Sequence, residues 1–225
     1  MRLYFIVMQE HHLHTQRTAR YFTLGEISVS TKAVWLACHG YGQLAREFIS
    51  ELQPLAEPGV AVAAPEGLSR FYTKGFVGTV GASWMTREDR ESEIDDYVSY
   101  LQKLFETIKG QVSTEASIHA LGFSQGCSTL CRWVARKVPA IDSLWLCCGS
   151  IPDDLDFARF CTALRSVPAR LLVGEDDPFI ADNDREAVRQ RIKKHRLPVQ
   201  VHTFKGGHVL NVTLLKSLMT QPVNS

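Results

Sequence analysis

The run Gly122-Phe-Ser124-Gln-Gly126 holds the residues whose types and spacing are best suited to covalent chemistry. A serine hydroxyl becomes a nucleophile when a sharp turn exposes it and a nearby base takes its proton. The surroundings supply such a turn. The apolar run Ile118–Leu121 enters it, and a helical pattern marked by Leu130, Trp133 and Val134 leaves it. Glycines on both sides let neighbouring backbone come close. Ser124 could also serve only as the cap of that helix, as serines often do. The paired glycines and the strand–helix frame favour the nucleophile.

A base must then be chosen from eight histidines. His208 follows an apolar strand pattern on a Gly206-Gly207 turn and comes late in the chain, as the order serine, acid, histidine requires. His39 precedes a glycine loop, and His119 and His202 fall inside strand patterns, where a packed histidine is the default. His195 sits in a charged run and reads as solvated. His11, His12 and His14 come too early, and no metal is assigned to them. Three carboxylates, Glu175, Asp176 and Asp177, follow the run Leu171–Gly174, and any acid orienting His208 should come from them. Backbone donors for a tetrahedral oxyanion would be the N–H of Gln125 and one from the loop His39-Gly-Tyr-Gly42.

These residues need a frame, and the chain alternates buried-strand patterns with helical ones, the mark of a mostly parallel sheet covered on both faces. Leu3–Val7 and Arg20–Leu24 read as early strands, an antiparallel hairpin at a sheet edge. Ala33–Cys38, Val60–Ala64, Ile118–Gly122, Leu144–Cys148, Leu171–Val173 and Val199–Phe204 read as the other strands. Leu44, Phe48 and Leu52 recur at helical spacing, as do Ile94, Val98, Leu101, Phe105 and Ile108. Thr86 and Asp89 fit a capping box before the longer helix, and Gly110 fits its stop. Glu186–Lys194 and Val209–Met219 predict two further helices. Residues 65–85 read as a long connection carrying Phe71, Tyr72, Phe76, Trp84 and Met85. No repeat or linker divides the chain, so residues 1–225 are expected to form one α/β domain.

The motifs His39-Gly-Tyr-Gly42, Gly122-Phe-Ser-Gln-Gly126, Gly174-Glu-Asp-Asp-Pro178 and Gly206-Gly-His208 occur in an order that resembles the phospholipase/carboxylesterase family of α/β-hydrolases, which includes acyl-protein thioesterases. Trp84 followed by Ile94-Asp-Asp-Tyr-Val is similar to bacterial members. The resemblance runs from about Arg20 to the C-terminus. It implies the α/β-hydrolase fold, a triad of Ser124, His208 and Asp177, with Asp177 favoured over Asp176 because the family's acid immediately precedes proline. It also implies Tyr41 as the second oxyanion donor.

Composition narrows the partners. Lys plus Arg number 25 and Asp plus Glu 24, a formal net charge of +1, which leaves no electrostatic footprint for nucleic acid. No run reaches the roughly 20 apolar residues needed to span a bilayer. The six cysteines form no C-x-x-C pair and lie mostly in apolar runs, as core thiols of a reducing, cytoplasmic compartment do. The expected function is hydrolysis of a small-molecule carboxylic ester, extending to thioesters, through an acyl-Ser124 intermediate with no cofactor and no metal. A peptidase or C–C hydrolase of the same fold, or a binding protein without turnover, are the alternatives; the oligomeric state is open. Phe71 and Trp84 are expected to line an acyl pocket, the alternative being that Trp84 seats the Ile94–Ile108 helix as a core residue.

Overall fold

The computed structural model describes residues 8–180 and 182–221. Short apolar runs rich in β-branched and small residues become strands: β1 (Tyr21–Leu24), β2 (Ala33–Cys38) and β3 (Val60–Pro65). A hairpin follows, β4 (Ser69–Lys74) and β5 (Val77–Ser83), and then β6 (Ser117–Phe123), β7 (Ser143–Cys147), β8 (Ala169–Gly174) and β9 (Val199–Phe204). Seven of them form one sheet in the order β1-β3-β2-β6-β7-β8-β9. All its pairings are parallel except that of β1, which runs antiparallel to β3 with Tyr21 opposite Pro65. The expected edge strand is therefore present, but its partner is β3. Leu3–Val7, read as the other arm of a hairpin, lies outside the described residues.

Strand residues alternate between two cores. Val34, Leu36 and Cys38 of β2 face one side, where α2 (Arg90–Lys109) contributes Ile94, Leu101 and Ile108, and α3 (Gln125–Lys137) contributes Leu130 and Trp133. Trp35 and Ala37 face the other side, covered by Phe48 of α1 (Ala45–Glu51) and by Leu215 and Leu218 of α6 (Val212–Met219). The first core also takes Phe160 from α4 (Phe157–Ala163) and Val188 from α5 (Asp182–His195). Helices on both faces of a parallel sheet explain why these strands read as continuous apolar runs.

Two local expectations are corrected. Residues 65–85 are not an open connection: Ser69 pairs with Ser83 and Lys74 with Val77 across a two-stranded ribbon. Its base is laced to the loop after β2 by Gly42 N–H to Ala82 O (2.9 Å) and Ala82 N–H to Gln43 O (3.2 Å). The Thr86–Asp89 capping box does not form. Asp89 itself is the N-cap, in the left-handed region at φ 44°, and its side chain makes no capping bond. Glu93 instead reaches back to accept from the backbone and hydroxyl of Thr86. Gly110 does end α2.

The chain leaves β2 for β3 in one direction across the sheet and then fills β6 to β9 in the other. The carboxyl ends of β2 and β6 thus border the point where strand order reverses. In open α/β sheets that crevice is where ligands bind.

Candidate active site

Ser124 sits at the end of β6, immediately before α3, with φ 53° and ψ −117°. That backbone lies in a region L-residues avoid, at a cost of order 1–3 kcal/mol, and strain of this kind gathers at functional sites. The turn is tight enough to require its flanking glycines. A Cβ on Gly122 would lie 2.6 Å from Gly126 O, and one on Gly126 would lie 2.1 Å from Cys38 O. The Ser124 N–H is held by Cys147 O at 2.9 Å, which hangs the elbow from the neighbouring strand.

His208 follows β9. Its Nδ1 lies 2.7 Å from Asp177 Oδ2. A carboxylate can only accept, so Nδ1 carries the proton and Nε2 is left with a free lone pair. Asp177 follows β8, its side chain is fully buried, and its second oxygen accepts from Phe179 N–H at 2.9 Å. Glu175 and Asp176 are exposed. Of the three carboxylates in that turn, Asp177 is the one brought to His208. The imidazole is 18% exposed and lies between Phe123, at 5.0 Å between ring centres, and Phe179, at 4.8 Å and edge-on.

The loop after β2 is adjacent to the elbow: a Cβ on Gly40 would come within 3.0 Å of Ser124 Cβ. His39 organises this loop and is fully buried. Its Nε2 accepts from Gly67 N–H at 2.9 Å, so its proton is on Nδ1, which donates to Gly40 O at 2.7 Å. Burial lowers the His39 pKa and keeps the ring neutral, outweighing the hydrogen bond to Gly40 O and the charge of Glu66. Below it, Glu66 is bound by Arg20 and Arg70, each at 2.7 Å, and accepts from Ala45 N–H at the start of α1. Burial would raise this carboxyl, but the hydrogen bonds and charges of the two guanidinium groups hold it below the usual range.

The Gln125 side chain has a structural task of its own. Its side-chain amide donates to Met85 O at 2.8 Å and accepts from Trp84 N–H at 3.1 Å, which bolts the start of α3 to the end of the hairpin. Sequence reasoning missed this role, and also missed Glu66 and Phe179. The position of Phe179 directly after Asp177-Pro178 was the available signal.

Ser124 and His208 line one cavity of about 340 Å³, together with Cys148, Gly149, Phe179, Ile180 and Val188. Gly149, Ile180 and Val188 also wall a second cavity of about 220 Å³, lined besides by Leu171, Val173 and Val201 and by the charged Glu175, Arg185 and Arg189. Phe71 and Trp84 do not line the cavity that holds Ser124. Trp84 is buried in the core, edge-on to Tyr97 of α2, and its indole N–H donates to His39 O at 2.9 Å. It seats α2, the alternative role open to it in the sequence, because a large ring with one donor fits a packed site with one carbonyl. Phe71 packs against exposed Tyr41, the rings tilted by 31° and 5.1 Å apart between centres, on the hairpin side of the loop.

The remaining candidates resolve plainly. His119 bonds Ser143 Oγ, and His195 stacks on Phe157 at 3.8 Å, so the latter is partly covered rather than solvated. His12 lies near Glu10 and Asp89, all exposed. All six cysteines are free. Burial pushes the thiols of Cys38, Cys127 and Cys147 far up, and that of Cys131 up to about 12, so none of these is a thiolate nucleophile.

Residues 29–211 match the serine hydrolase (FSH1) family over most of the chain. The chain belongs to that family. Solved structures with this serine hydrolase's fold include maize acyl-protein thioesterase 2, at 15% identity and a TM-score of 0.68, covering 89% of this chain and 96% of that one. A carboxylesterase from Mesorhizobium loti gives 16% identity and 0.67, covering 91% and 95%. A Bacillus cereus carboxylesterase gives 16% and 0.62, covering 88% and 91%. The α/β-hydrolase fold expected from the motif order is therefore the observed one. No curated protein matches the sequence. Among the described residues no helix is long and apolar enough to cross a membrane.

Proposed function

We propose that this serine hydrolase cleaves carboxylic esters, and thioesters of the same acyl groups, through an acyl-Ser124 intermediate. The observation that carries the reading is the 2.7 Å contact of His208 Nδ1 with buried Asp177, beside the cavity that Ser124 and His208 share. His208 Nε2 takes the Ser124 proton as Oγ attacks the carbonyl carbon, and Asp177 stabilises the imidazolium that forms. The oxyanion is held by the backbone N–H groups of Gln125 and Tyr41, each such donor contributing about 3–4 kcal/mol to the transition state. The imidazolium then gives its proton to the leaving alcohol or thiol. Water repeats the sequence on the acyl-enzyme and frees the acid.

The acyl chain is assigned to the path from Ser124 past Gly149, Ile180 and Val188 to Leu171 and Val173 in the second cavity. Burial of chain methylenes there stabilises binding by about 0.8 kcal/mol each. Buried free thiols and the absence of a membrane-spanning helix among the described residues support a cytoplasmic protein acting on small acyl esters. The test is a matched panel of ester, thioester and amide substrates with Ser124→Ala as the blank, alongside labelling by a fluorophosphonate. Esters and thioesters turned over by wild type alone support the reading. Faster turnover of the amide than of the ester overturns it.

A further inference from the structure

Cys148 is absent from the mechanism above, yet it is placed at the heart of the triad. A sulfur, a carboxylate oxygen and a ring nitrogen from Cys148, Asp177 and His208 all lie within 4.8 Å of one another. The cysteine is not there by loose packing. Its backbone is left-handed at φ 50°, its N–H is held by Leu172 O at 2.8 Å, and its Sγ lies 3.3 Å from Val209 O, one residue beyond His208. Asp177 is tethered in turn by Phe179 N–H. Three side chains thus come from three different strand ends: Asp177 is held by a backbone N–H, His208 lies between the rings of Phe123 and Phe179, and the Cys148 thiol donates to Val209 O, a bond that it gives up on binding a cation. Cys148 and His208 both line the cavity of Ser124, which gives an entry path and room for a water as fourth ligand.

We propose that Cys148, Asp177 and His208 form a binding site for a zinc-class divalent cation, and that occupancy silences the enzyme reversibly. Sulfur, imidazole nitrogen and carboxylate oxygen with one open position is a donor set that suits Zn²⁺. The protons balance. The thiol loses its proton to solvent and Sγ binds the cation. Neutral His208 keeps one proton but moves it from Nδ1 to Nε2, and Nδ1 binds the cation beside Asp177. Thiolate and carboxylate together neutralise the two positive charges, so no net charge is left in the buried site. With metal–nitrogen and metal–oxygen lengths near 2.0–2.1 Å, the two ligand atoms should stand roughly 3.3 Å apart. The present separation is 2.7 Å, so the His208 loop must withdraw by about half an ångström, and the Gly206-Gly207 turn preceding it is suited to do so. The consequence follows from the tautomer. Nε2 now bears a proton, cannot accept one from Ser124, and turnover stops.

The metal site itself does not depend on the ester reading; only its inhibitory effect does, and the two are read separately. Cadmium, a spectroscopic stand-in for zinc, is titrated into the full chain while its ultraviolet thiolate charge-transfer band is followed. Wild type and Ser124→Ala should both develop the band, and Cys148→Ser should not. The exposed Glu10, His12 and Asp89 group carries no sulfur and gives no such band. Zinc inhibition is measured in a metal buffer, each variant against its own metal-free rate. Cys148→Ser should need at least about tenfold more zinc for half-inhibition, and chelator should restore wild type. If Cys148→Ser does not fold, Cys148→Ala replaces it in both measurements. Absence of a band in wild type, a band retained by the Cys148 variant, or unchanged zinc sensitivity overturns the proposal. A band in a wild-type protein that hydrolyses nothing sustains the site and overturns the hydrolase reading instead.

Discussion

The indole N–H of Trp84 donates to the backbone carbonyl of His39 at 2.9 Å, both residues being buried. This bond adds to the two backbone bonds of Ala82 in joining the end of the hairpin to the loop that abuts Ser124. Trp84→Ala should therefore lower stability by about 3–5 kcal/mol. Trp84→Phe keeps much of the ring but orphans the carbonyl, at about 1–3 kcal/mol. Denaturant titration measures both. Esterase rates of the folded variants should fall alike for short and long acyl chains; selective loss of the long ones would return Trp84 to the substrate path.

Ser124→Ala should remove hydrolysis by on the order of 10⁶ in kcat. Asp177→Asn should cost on the order of 10⁴, because the amide favours the wrong imidazole tautomer. Exposed Asp176→Asn should stay within a few-fold of wild type. Comparable losses at positions 176 and 177 would remove Asp177 from its assigned place.

Val188 is buried and walls both cavities. Val188→Phe should narrow the passage between them and move the chain-length optimum of kcat/KM toward shorter acyl groups. A series of ester substrates reads this directly, and an unchanged optimum would place the chain elsewhere.

Acidification through the histidine range should destabilise the protein. Burial lowers the pKa of His39, His119 and His202 below the ordinary histidine value of 6.5. Below that value the unfolded chain binds protons that the folded one refuses, so stability falls as pH falls. The limit is about 1.4 kcal/mol per pH unit for each histidine. His39→Gln should be less stable at neutral pH and should show a shallower decline as pH falls below the ordinary histidine value of 6.5, as measured by melting temperature. An unaltered slope would mean that His39 protonates freely in the fold.

Some of this was legible in the residues and some was not. β9 reads correctly at both ends, since Val199–Phe204 is bounded by Pro198 and Lys205-Gly206. The elbow reads because its steric demand names its own residues, Gly122 and Gly126. The hairpin did not read because both its faces are largely exposed: Arg70, Tyr72 and Lys74 alternate with Ser69, Phe71 and Thr73 without an apolar side. α4 escaped because a seven-residue helix burying one side chain, Phe160, leaves no period to count. The two roles open to Trp84 could not be told apart in the sequence, because a large ring with one donor suits either task. Of the cavity walls, Ile180 lies in the turn before α5, and Val188 lies on α5, whose seating against the sheet is a tertiary matter.

The backbone of Ser124, held at φ 53° and ψ −117°, sets function against durability at a single position. Glycine would occupy that conformation without strain. Ser124→Gly should therefore unfold at higher temperature than wild type while catalysing nothing. A laboratory lineage selected for heat resistance alone would discard the serine early, and its survivors would keep the fold and the bond between Asp177 and His208, with no hydroxyl left for that imidazole to serve.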